Sequence, residues 1–243
     1  MPESRGAGPA WLVLPTYNEA ENLEPLVAAA RANLPASARV LVVDDNSPDG
    51  TGDLADRLAA ADERVEVMHR PRKEGLGPAY VAGFRHALGA GAGRILEMDS
   101  DFSHDPADLG RLLAAAERAD VAIGSRYVAG GGVENWSPLR QAISRGGSAY
   151  ARLVLGLPIK DLTGGFKCFR REVLERIELE RISSRGYAFQ VEMTYRAIEL
   201  GFEVVEVPIT FRERRAGASK MSRSIVLEAA WKVPQLRLGR RRA

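Results

Sequence analysis

Short apolar runs alternate with helical patterns along the first half of the chain, and this alternation limits the fold more than any other feature. Residues 40–43 form an uninterrupted, mostly β-branched apolar run, which is typical of a strand buried on both faces. Residues 76–88 repeat apolar side chains at helical spacing. Such alternation predicts an α/β fold with a mostly parallel, doubly wound sheet flanked by helices.

The remaining elements follow from the same patterns. We predict strands at 11–14, 40–43, 65–69, 94–98, 121–123, 166–169 and 204–211. We predict helices at 23–34, 52–61, 76–88, 106–118, 138–155 and 189–200, with the helix at 138–155 interrupted by Gly146 and Gly147. Three glycines at 130–132 indicate a mobile loop. These boundaries predict a flexible N-terminus at 1–9, one domain at 10–222, and an amphipathic, basic tail at 223–243 that forms a short helical appendage.

Composition excludes several classes of protein. The 243 residues include one cysteine, Cys168, so neither a disulfide framework nor a multi-cysteine metal site is possible. Three scattered histidines do not form a zinc site, and a net charge of +2 with no basic face argues against nucleic acid as a partner. No segment approaches the roughly 20 apolar residues of a membrane span. The first strand lacks a G-x-G-x-x-G turn, and no Walker motif is present, which argues against dinucleotide and P-loop chemistry.

Polar clusters follow three of the predicted strands, at 15–19, 44–47 and 99–101. Because α/β sheets bind ligands beyond the carboxyl ends of their strands, the clusters predict a site at that edge. Asp99 and Asp101 stand two positions apart in an extended segment, so both carboxylates can reach one cation such as Mg²⁺. Turn and helix-cap chemistry is the alternative reading of each cluster alone, and Ser47 and Asp49 can cap the following helix.

Two sets of motifs carry a resemblance to known enzymes. Segments 14–19, 42–51 and 98–101 resemble the inverting family-2 glycosyltransferases of GT-A fold. Segments 123–127, 161–166, 189–193 and 217–222 resemble, within that group, the polyprenyl-phosphate (dolichyl-phosphate) mannosyltransferases. The resemblance runs in order from about residue 11 to 222. It implies a GT-A-like fold and transfer of mannose from GDP-mannose to a polyprenyl monophosphate with Mg²⁺ or Mn²⁺, at the cytoplasmic face of a membrane.

The resemblance also implies site residues. The nucleotide-sugar site would use Pro15, Tyr17, Glu19, Val43, Asp45, Asp99, Ser100, Asp101, Arg212 and Lys220. Arg126, Arg140 and Ser144 would bind the acceptor phosphate, and Asp101, Arg126 and Arg140 would be catalytic. Asp99 and Asp101 would hold the metal. Where some members have Gln, this chain has Ser103, a shorter and weaker ligand, which argues against direct coordination and for a water in its place.

Alternatives remain open at this point. The donor could instead be UDP-glucose, or the chain could be a non-catalytic nucleotide-sugar-binding module that regulates a membrane partner. For the membrane, we expect peripheral attachment, either through a partner protein or through apolar residues at 225–238 with the trailing arginines. The competing interpretation is that this segment packs on the domain.

Overall fold

The computed structural model describes residues 8–182, 184, 186–213 and 231–238, with Tyr187 described by its backbone alone. The strands are β1 (Ala10–Thr16), β2 (Arg39–Asp44), β3 (Val65–His69), β4 (Arg94–Glu97), β5 (Val121–Ser125), β6 (Gly132–Val133), β7 (Lys167–Arg170), β8 (Val204–Pro208) and β9 (Thr210–Phe211). The helices are α1 (Ala20–Asn33), α2 (Thr51–Ala61), α3 (Leu76–Gly89), α4 (Leu109–Ala115), α5 (Pro138–Leu155), α6 (Arg171–Arg176), α7 (Gly186–Glu199) and α8 (231–238).

Seven strands form one sheet in the order β3-β2-β1-β4-β7-β5-β8. All neighbours in it are parallel except β7, which lies antiparallel between β4 and β5. The chain runs from β1 outward to β2 and β3, then returns to place β4 on the other side of β1. The strand order therefore reverses between β1 and β4, and α/β sheets bind ligands beyond the carboxyl ends of the strands at such a reversal. The predicted mostly parallel, doubly wound α/β sheet is confirmed.

Alternating residues of β1 supply both faces of the core. Trp11 and Val13 pack in one apolar cluster with Phe84 of α3, whereas Leu12 and Leu14 pack in the other with residues of α1. This is the period of two that a strand dictates. Helix α3 lies so close that a Cβ on Gly83 would stand 2.4 Å from Cγ1 of Val13. Burial on both faces therefore fixes the strand that leads into the predicted site.

Helix α5 is continuous, so the predicted interruption at Gly146 and Gly147 is wrong. Its two ends carry strong signals. The Ser137 hydroxyl accepts a hydrogen bond from the Arg140 backbone at 3.3 Å, Pro138 occupies the first turn, and Gly156 ends the helix in the left-handed conformation (φ 70°). These signals outweigh the cost of about 1 kcal/mol for each internal glycine.

Other boundaries also differ from the predictions. The helix predicted at 106–118 is a 3-10 turn (Pro106–Asp108) followed by α4, which ends at Ala115. The strand predicted at 204–211 is two strands, and its end pairs with β6 in a separate two-stranded sheet. Helix α6 and a 3-10 turn at Leu179–Arg181 were not predicted. The tail is described only at 231–238, where it is helical; the predicted boundary at 222 lies outside the described residues.

Candidate functional site

The loops that follow β1, β2 and β4 meet at one edge of the sheet, as predicted. We call residues 15–19, 44–47 and 99–104 the carboxylate edge. The Ser100 hydroxyl donates to the Pro15 carbonyl at 2.9 Å, and the Asp45 backbone donates to the Thr16 carbonyl at 3.0 Å. Since these hydrogen bonds cross from loop to loop, the three polar clusters form one connected structure.

Each loop of the carboxylate edge contains a residue in the left-handed backbone region. These are Asn18 and Asn46, both at φ 58°, and Phe102 at φ 60°. Asparagine tolerates this region, but for a phenylalanine it is strained by about 1–3 kcal/mol. Such strain persists only where surrounding contacts over-determine the backbone, and it concentrates at functional sites.

Asp99 and Asp101 suit a divalent cation that a substrate helps to bind. Asp101 is buried and accepts a hydrogen bond from the Ser103 backbone at 3.0 Å, and Asp99 accepts one from the Tyr80 hydroxyl at 3.4 Å. The buried Ser103 hydroxyl has no hydrogen-bond partner among the described residues. Within that same part of the chain, no group of three or more His, Cys, Asp or Glu side chains could hold a metal alone. Two carboxylates completed by water and substrate phosphates fit Mg²⁺.

His104 contacts the backbone of the Asp99–Asp101 turn. It was not predicted as a site residue. It is buried, and its ring contacts Phe166 and Phe211 at 4.9 and 5.1 Å between centroids. Burial lowers its pKa to about 4, opposed by the charge of Asp101. The imidazole is therefore neutral at pH 7, and its Nδ1 can accept the Asp99 backbone N–H at 3.4 Å.

Three predicted nucleotide-site residues that follow β1 and β2 have side chains that contact other residues of the protein. Asp45 is buried and paired with Arg70, a partner that was not predicted; burial raises the pKa of Asp45, while Arg70 opposes that shift. The Lys73 ammonium lies 3.8 Å from the centre of the Tyr17 ring. The Glu19 carboxylate accepts a hydrogen bond from the Asn22 side chain at 2.9 Å.

Val43 and the two basic donor-site candidates differ in position. Val43 is fully buried in the core, and its carbonyl accepts a hydrogen bond from the Thr16 hydroxyl at 3.3 Å. Arg212 lies beside the carboxylate edge: its backbone N–H donates to the Ser103 carbonyl at 3.0 Å, and its guanidinium pairs with Asp105 at 2.7 Å and Glu134 at 3.0 Å. Lys220 lies outside the described residues.

Arg126 is fixed by a buried ion pair. Its guanidinium donates to both carboxylate oxygens of Asp161 at 2.7 Å, its backbone N–H donates to the same carboxylate at 3.0 Å, and Thr163 accepts a further bond at 2.8 Å. Burial by itself would raise the pKa of Asp161, but the charge and hydrogen bonds of Arg126 hold it below its ordinary value. The pair therefore remains ionised in the interior.

Two aromatic side chains join the three predicted acceptor residues. Cζ of Arg140 lies 4.1 Å from the Trp136 ring centre and Cζ of Arg126 lies 5.7 Å from it. The Tyr127 hydroxyl donates to Ser144 at 2.7 Å and its ring lies 5.1 Å from Cζ of Arg126. We call these five residues the arginine cluster. Tyr127 and Trp136 were not predicted; their closeness in sequence to Arg126 and Arg140 was the available signal.

The arginine cluster adjoins the carboxylate edge through one side chain. The Phe211 ring lies 5.1 Å from the His104 ring and 5.4 Å from Cζ of Arg126. It also contacts Trp136 at 5.2 Å between centroids. Phe211 thus contacts Arg126 of the arginine cluster and His104 of the carboxylate edge, so the two groups of residues adjoin each other.

A buried polar group lies at the end of β4, next to Asp99. Burial raises the pKa of Glu97 to about 7, opposed by the Lys167 ammonium 3.6 Å away, and burial lowers the pKa of Lys167. Lys167 donates to the Gln190 side chain at 2.5 Å. A Cβ on Gly165 would lie 3.2 Å from Nε2 of Gln190 and 3.7 Å from Oδ1 of Asp99. Glycine at this position therefore leaves room directly beside the carboxylate.

Comparison with known proteins gives consistent results. A family model described as glycosyl transferase family 2 matches residues 11–178. The polyprenol monophosphomannose synthase of Mycolicibacterium smegmatis is 53% identical over 226 residues, which cover 92% of this chain and 85% of that protein. The undecaprenyl-phosphate mannosyltransferase of Micrococcus luteus is 51% identical over 229 residues, covering 94% of each.

Solved structures with a similar fold include glucosyl-3-phosphoglycerate synthase from Mycobacterium tuberculosis. Its complex with Mn²⁺, UDP and glucosyl-3-phosphoglycerate has a TM-score of 0.67 at 17% identity, covering 98% of this chain and 81% of that one. Its complex with Mg²⁺ and UDP gives the same TM-score over 96% of this chain and 81% of that one. At this identity the likeness concerns the fold alone, which is GT-A-like. By its sequence, the chain belongs to glycosyl transferase family 2.

Proposed function

We propose that the chain transfers mannose from GDP-mannose to a polyprenyl monophosphate, releasing GDP with inversion at the anomeric carbon. The observation that carries this proposal is the contact of the carboxylate edge with the arginine cluster through Phe211. One side suits a metal-bound diphosphate and the other suits a second phosphate. The two relatives, a polyprenol monophosphomannose synthase and an undecaprenyl-phosphate mannosyltransferase, support the same acceptor class.

The acceptor needs no general base. A phosphate monoester loses its second proton near pH ~6, so the lipid phosphate is already an anionic nucleophile at neutral pH. One of its oxygens attacks the anomeric carbon from the face opposite the diphosphate. The bond from that carbon to the diphosphate oxygen breaks, and GDP leaves with the electron pair. The protein supplies position and compensates charge.

Asp99 and Asp101 would hold Mg²⁺ or Mn²⁺, and the Ser103 hydroxyl or a water in its place would complete the protein side. Such a cation, when bound, neutralises charge on the departing diphosphate. Metal complexes of structural neighbours with Mn²⁺ and Mg²⁺ support a divalent ion. Arg212 lies beside the same turn and would assist by exchanging its carboxylate partners for phosphate.

Arg126 and Arg140 would bind the acceptor phosphate, with Ser144 as a further donor. The two arginines use their environments differently. Asp161 fixes the orientation of the buried Arg126 guanidinium, whereas Arg140 rests on Trp136 and pairs with Glu213 at 3.0 Å near the surface. A buried arginine and a more exposed one together suit a phosphate that must enter and leave.

We further propose peripheral attachment to the cytoplasmic face of a membrane, directly or through an integral membrane partner. In the described part of the chain, no helix is both long enough and apolar enough to cross a bilayer. Of the predicted tail anchor, Val233 is buried against the core, whereas Trp231 is 71% exposed. Part of α8 therefore packs on the domain and part of it faces outward.

The test is transfer of labelled mannose from GDP-mannose, with Mg²⁺, into an organic-extractable product in the presence of a polyprenyl phosphate. We expect label in the lipid phase, released by mild acid and lost with chelator. If labelled product forms only from UDP-glucose, the donor is UDP-glucose and not GDP-mannose. Binding of GDP-mannose without transfer, in the presence of membrane extract as well, would favour a non-catalytic module.

A further inference from the structure

The large apolar side chains that are exposed in the described part of the chain lie on two helices. On α5 they are Leu139 (70% exposed), Ile143, Tyr150 and Leu153 (75%), which we call the α5 stripe. On α8 they are Trp231 and Leu238. Soluble domains expose single apolar residues routinely, but a cluster of this kind marks a surface that binds something.

The α5 stripe points directly away from the domain. At 3.6 residues per turn, its members fall within an arc of about 80°. The buried residues of α5 are Ser148, Ala151 and Leu155, about 150° away around the helix. Only three of the 18 residues of α5 are buried, so most of the helix has little contact with the core. A helix with this distribution needs an apolar partner on its outer face.

A basic cavity flanks the stripe. It has a volume of about 350 Å³, and the described residues that line it are Tyr127, Arg145, Ala149, Arg152 and Lys160, none of which is a carboxylate. Across the described residues, no salt bridge joins Arg145, Arg152 or Lys160 to an acidic group. Three cations in one concave surface attract an anion of matching size, such as a phosphate.

Helix α8 continues this surface. The Arg237 guanidinium donates to the Val154 carbonyl near the end of α5, and Val233 anchors α8 in the core. The exposed Leu153 lies next to that contact in the sequence. The apolar and basic groups thus belong to one face that two helices share. The same helix α5 carries Arg140 and Ser144, which belong to the arginine cluster.

We propose that this face docks on an anionic lipid bilayer. The α5 stripe enters the boundary between headgroups and acyl chains, and Arg145, Arg152 and Lys160 bind lipid phosphates. Charge favours a bilayer over a second copy of the chain, because a symmetric contact would bring the same cations near each other. The proposal rests on the proposed function in one respect: a polyprenyl acceptor lies in a membrane, so docking here presents its phosphate to the arginine cluster.

The experiment is co-sedimentation of the full chain with vesicles of phosphatidylcholine containing about one third phosphatidylglycerol, and with pure phosphatidylcholine. We expect binding to the anionic vesicles. The triple change Arg145→Gln, Arg152→Gln and Lys160→Gln should weaken it about 100-fold. The change Leu139→Ser with Leu153→Ser should weaken it about 10-fold or more. As a matched control, Arg57→Gln, Arg111→Gln and Arg118→Gln removes three exposed charges elsewhere and should have a smaller effect.

Two further measurements separate the possible failures. Circular dichroism checks that each variant is folded. Transfer to a short, water-soluble isoprenyl phosphate without vesicles should be equal in wild type and variants, so loss of docking and failure of the proposed function are distinguishable. Equal vesicle binding by wild type and both stripe and cavity variants would overturn the proposal. The proposal would also be overturned if the wild-type chain did not bind the anionic vesicles. The same holds if the variants changed only self-association, measured by equilibrium sedimentation.

Discussion

The carboxylate edge and α5 are held by the fold in contrasting ways. At the carboxylate edge, three loops are joined by hydrogen bonds, buried carboxylates and backbone strained at Phe102. Helix α5 has three buried residues in 18 and exposes an apolar stripe. Under the proposed function, the difference corresponds to opposite demands of the two substrates. A diphosphate with its metal needs fixed ligands, whereas a lipid headgroup is reached through a surface that must remain open.

The largest expected effect concerns the carboxylate edge. Asp101→Asn keeps an acceptor for the Ser103 backbone N–H but removes the charge, so we expect the fold to persist and transfer to fall about 10³-fold or more. Mannosyl transfer and Mg²⁺-dependent binding of GDP-mannose are the measurements. Asp53→Asn, an exposed carboxylate of α2, is the control and should keep full activity. More than a tenth of wild-type activity in Asp101→Asn would contradict the metal assignment.

The second expected effect compares how much Arg126 and Arg140 of the arginine cluster contribute to the free energy of unfolding. We expect Arg126→Ala to lower the free energy of unfolding by about 3–5 kcal/mol, because it leaves the buried Asp161 carboxylate without its partner. Arg140→Ala should cost no more than about 1 kcal/mol, since its pair with Glu213 is near the surface. Urea denaturation measures both, and equal losses would break the comparison.

A third effect concerns acid. Burial lowers the pKa of His104 to about 4, below its ordinary value of 6.5, so the unfolded chain binds a proton that the folded one excludes. The free energy of unfolding therefore falls as pH drops from about 6.5 to about 4. His104→Gln should remove this part of the pH dependence. His69→Gln is the opposite control, because its hydrogen bond to Asp56 raises the pKa of His69 and stabilises the protein at low pH instead.

The smallest effect compares two glycines. A Cβ on Gly147 of α5 would meet nothing within 4 Å, so Gly147→Ala should stabilise the chain by about 0.5–1 kcal/mol through helix propensity. Gly83→Ala, under the carboxylate edge, would bring Cβ to 2.4 Å from Cγ1 of Val13 and should destabilise by about 1–3 kcal/mol. Thermal and urea unfolding should show changes in stability of opposite sign for the two variants. Changes of the same sign would contradict this prediction.

Local patterns predicted the first half of the fold well. Strands β1, β2 and β4 and the polar loops after them follow from apolar runs and the sequence that ends them, and their meeting at one edge follows from parallel pairing. The candidate carboxylates Asp99 and Asp101 could be placed at that edge for the same reason.

Long-range pairing set the limit of prediction in the second half. Nothing local distinguishes the antiparallel β7 from a parallel strand, because its direction depends on the partners it meets. The pair between Arg126 and Asp161 joins residues 35 positions apart. Glu192 of α7 is buried and paired with Arg196. Roles for Arg70, His104, Trp136 and Tyr127 similarly required neighbours that the sequence does not reveal.

The antiparallel β7 also has a consequence for the order in which the protein can fold. In the sheet, β5 has no hydrogen-bonded neighbour except β7 and β8, which lie later in the chain. Strands β1 to β4 can pair once residue 97 has left the ribosome, whereas Arg126 after β5 waits for residues 167–170 and for Asp161. Because non-local pairing forms slowly, β1, β2 and β4 and the loops that follow them should form in a nascent chain before Arg126 is fixed, whereas Arg212 can join the carboxylate edge only later.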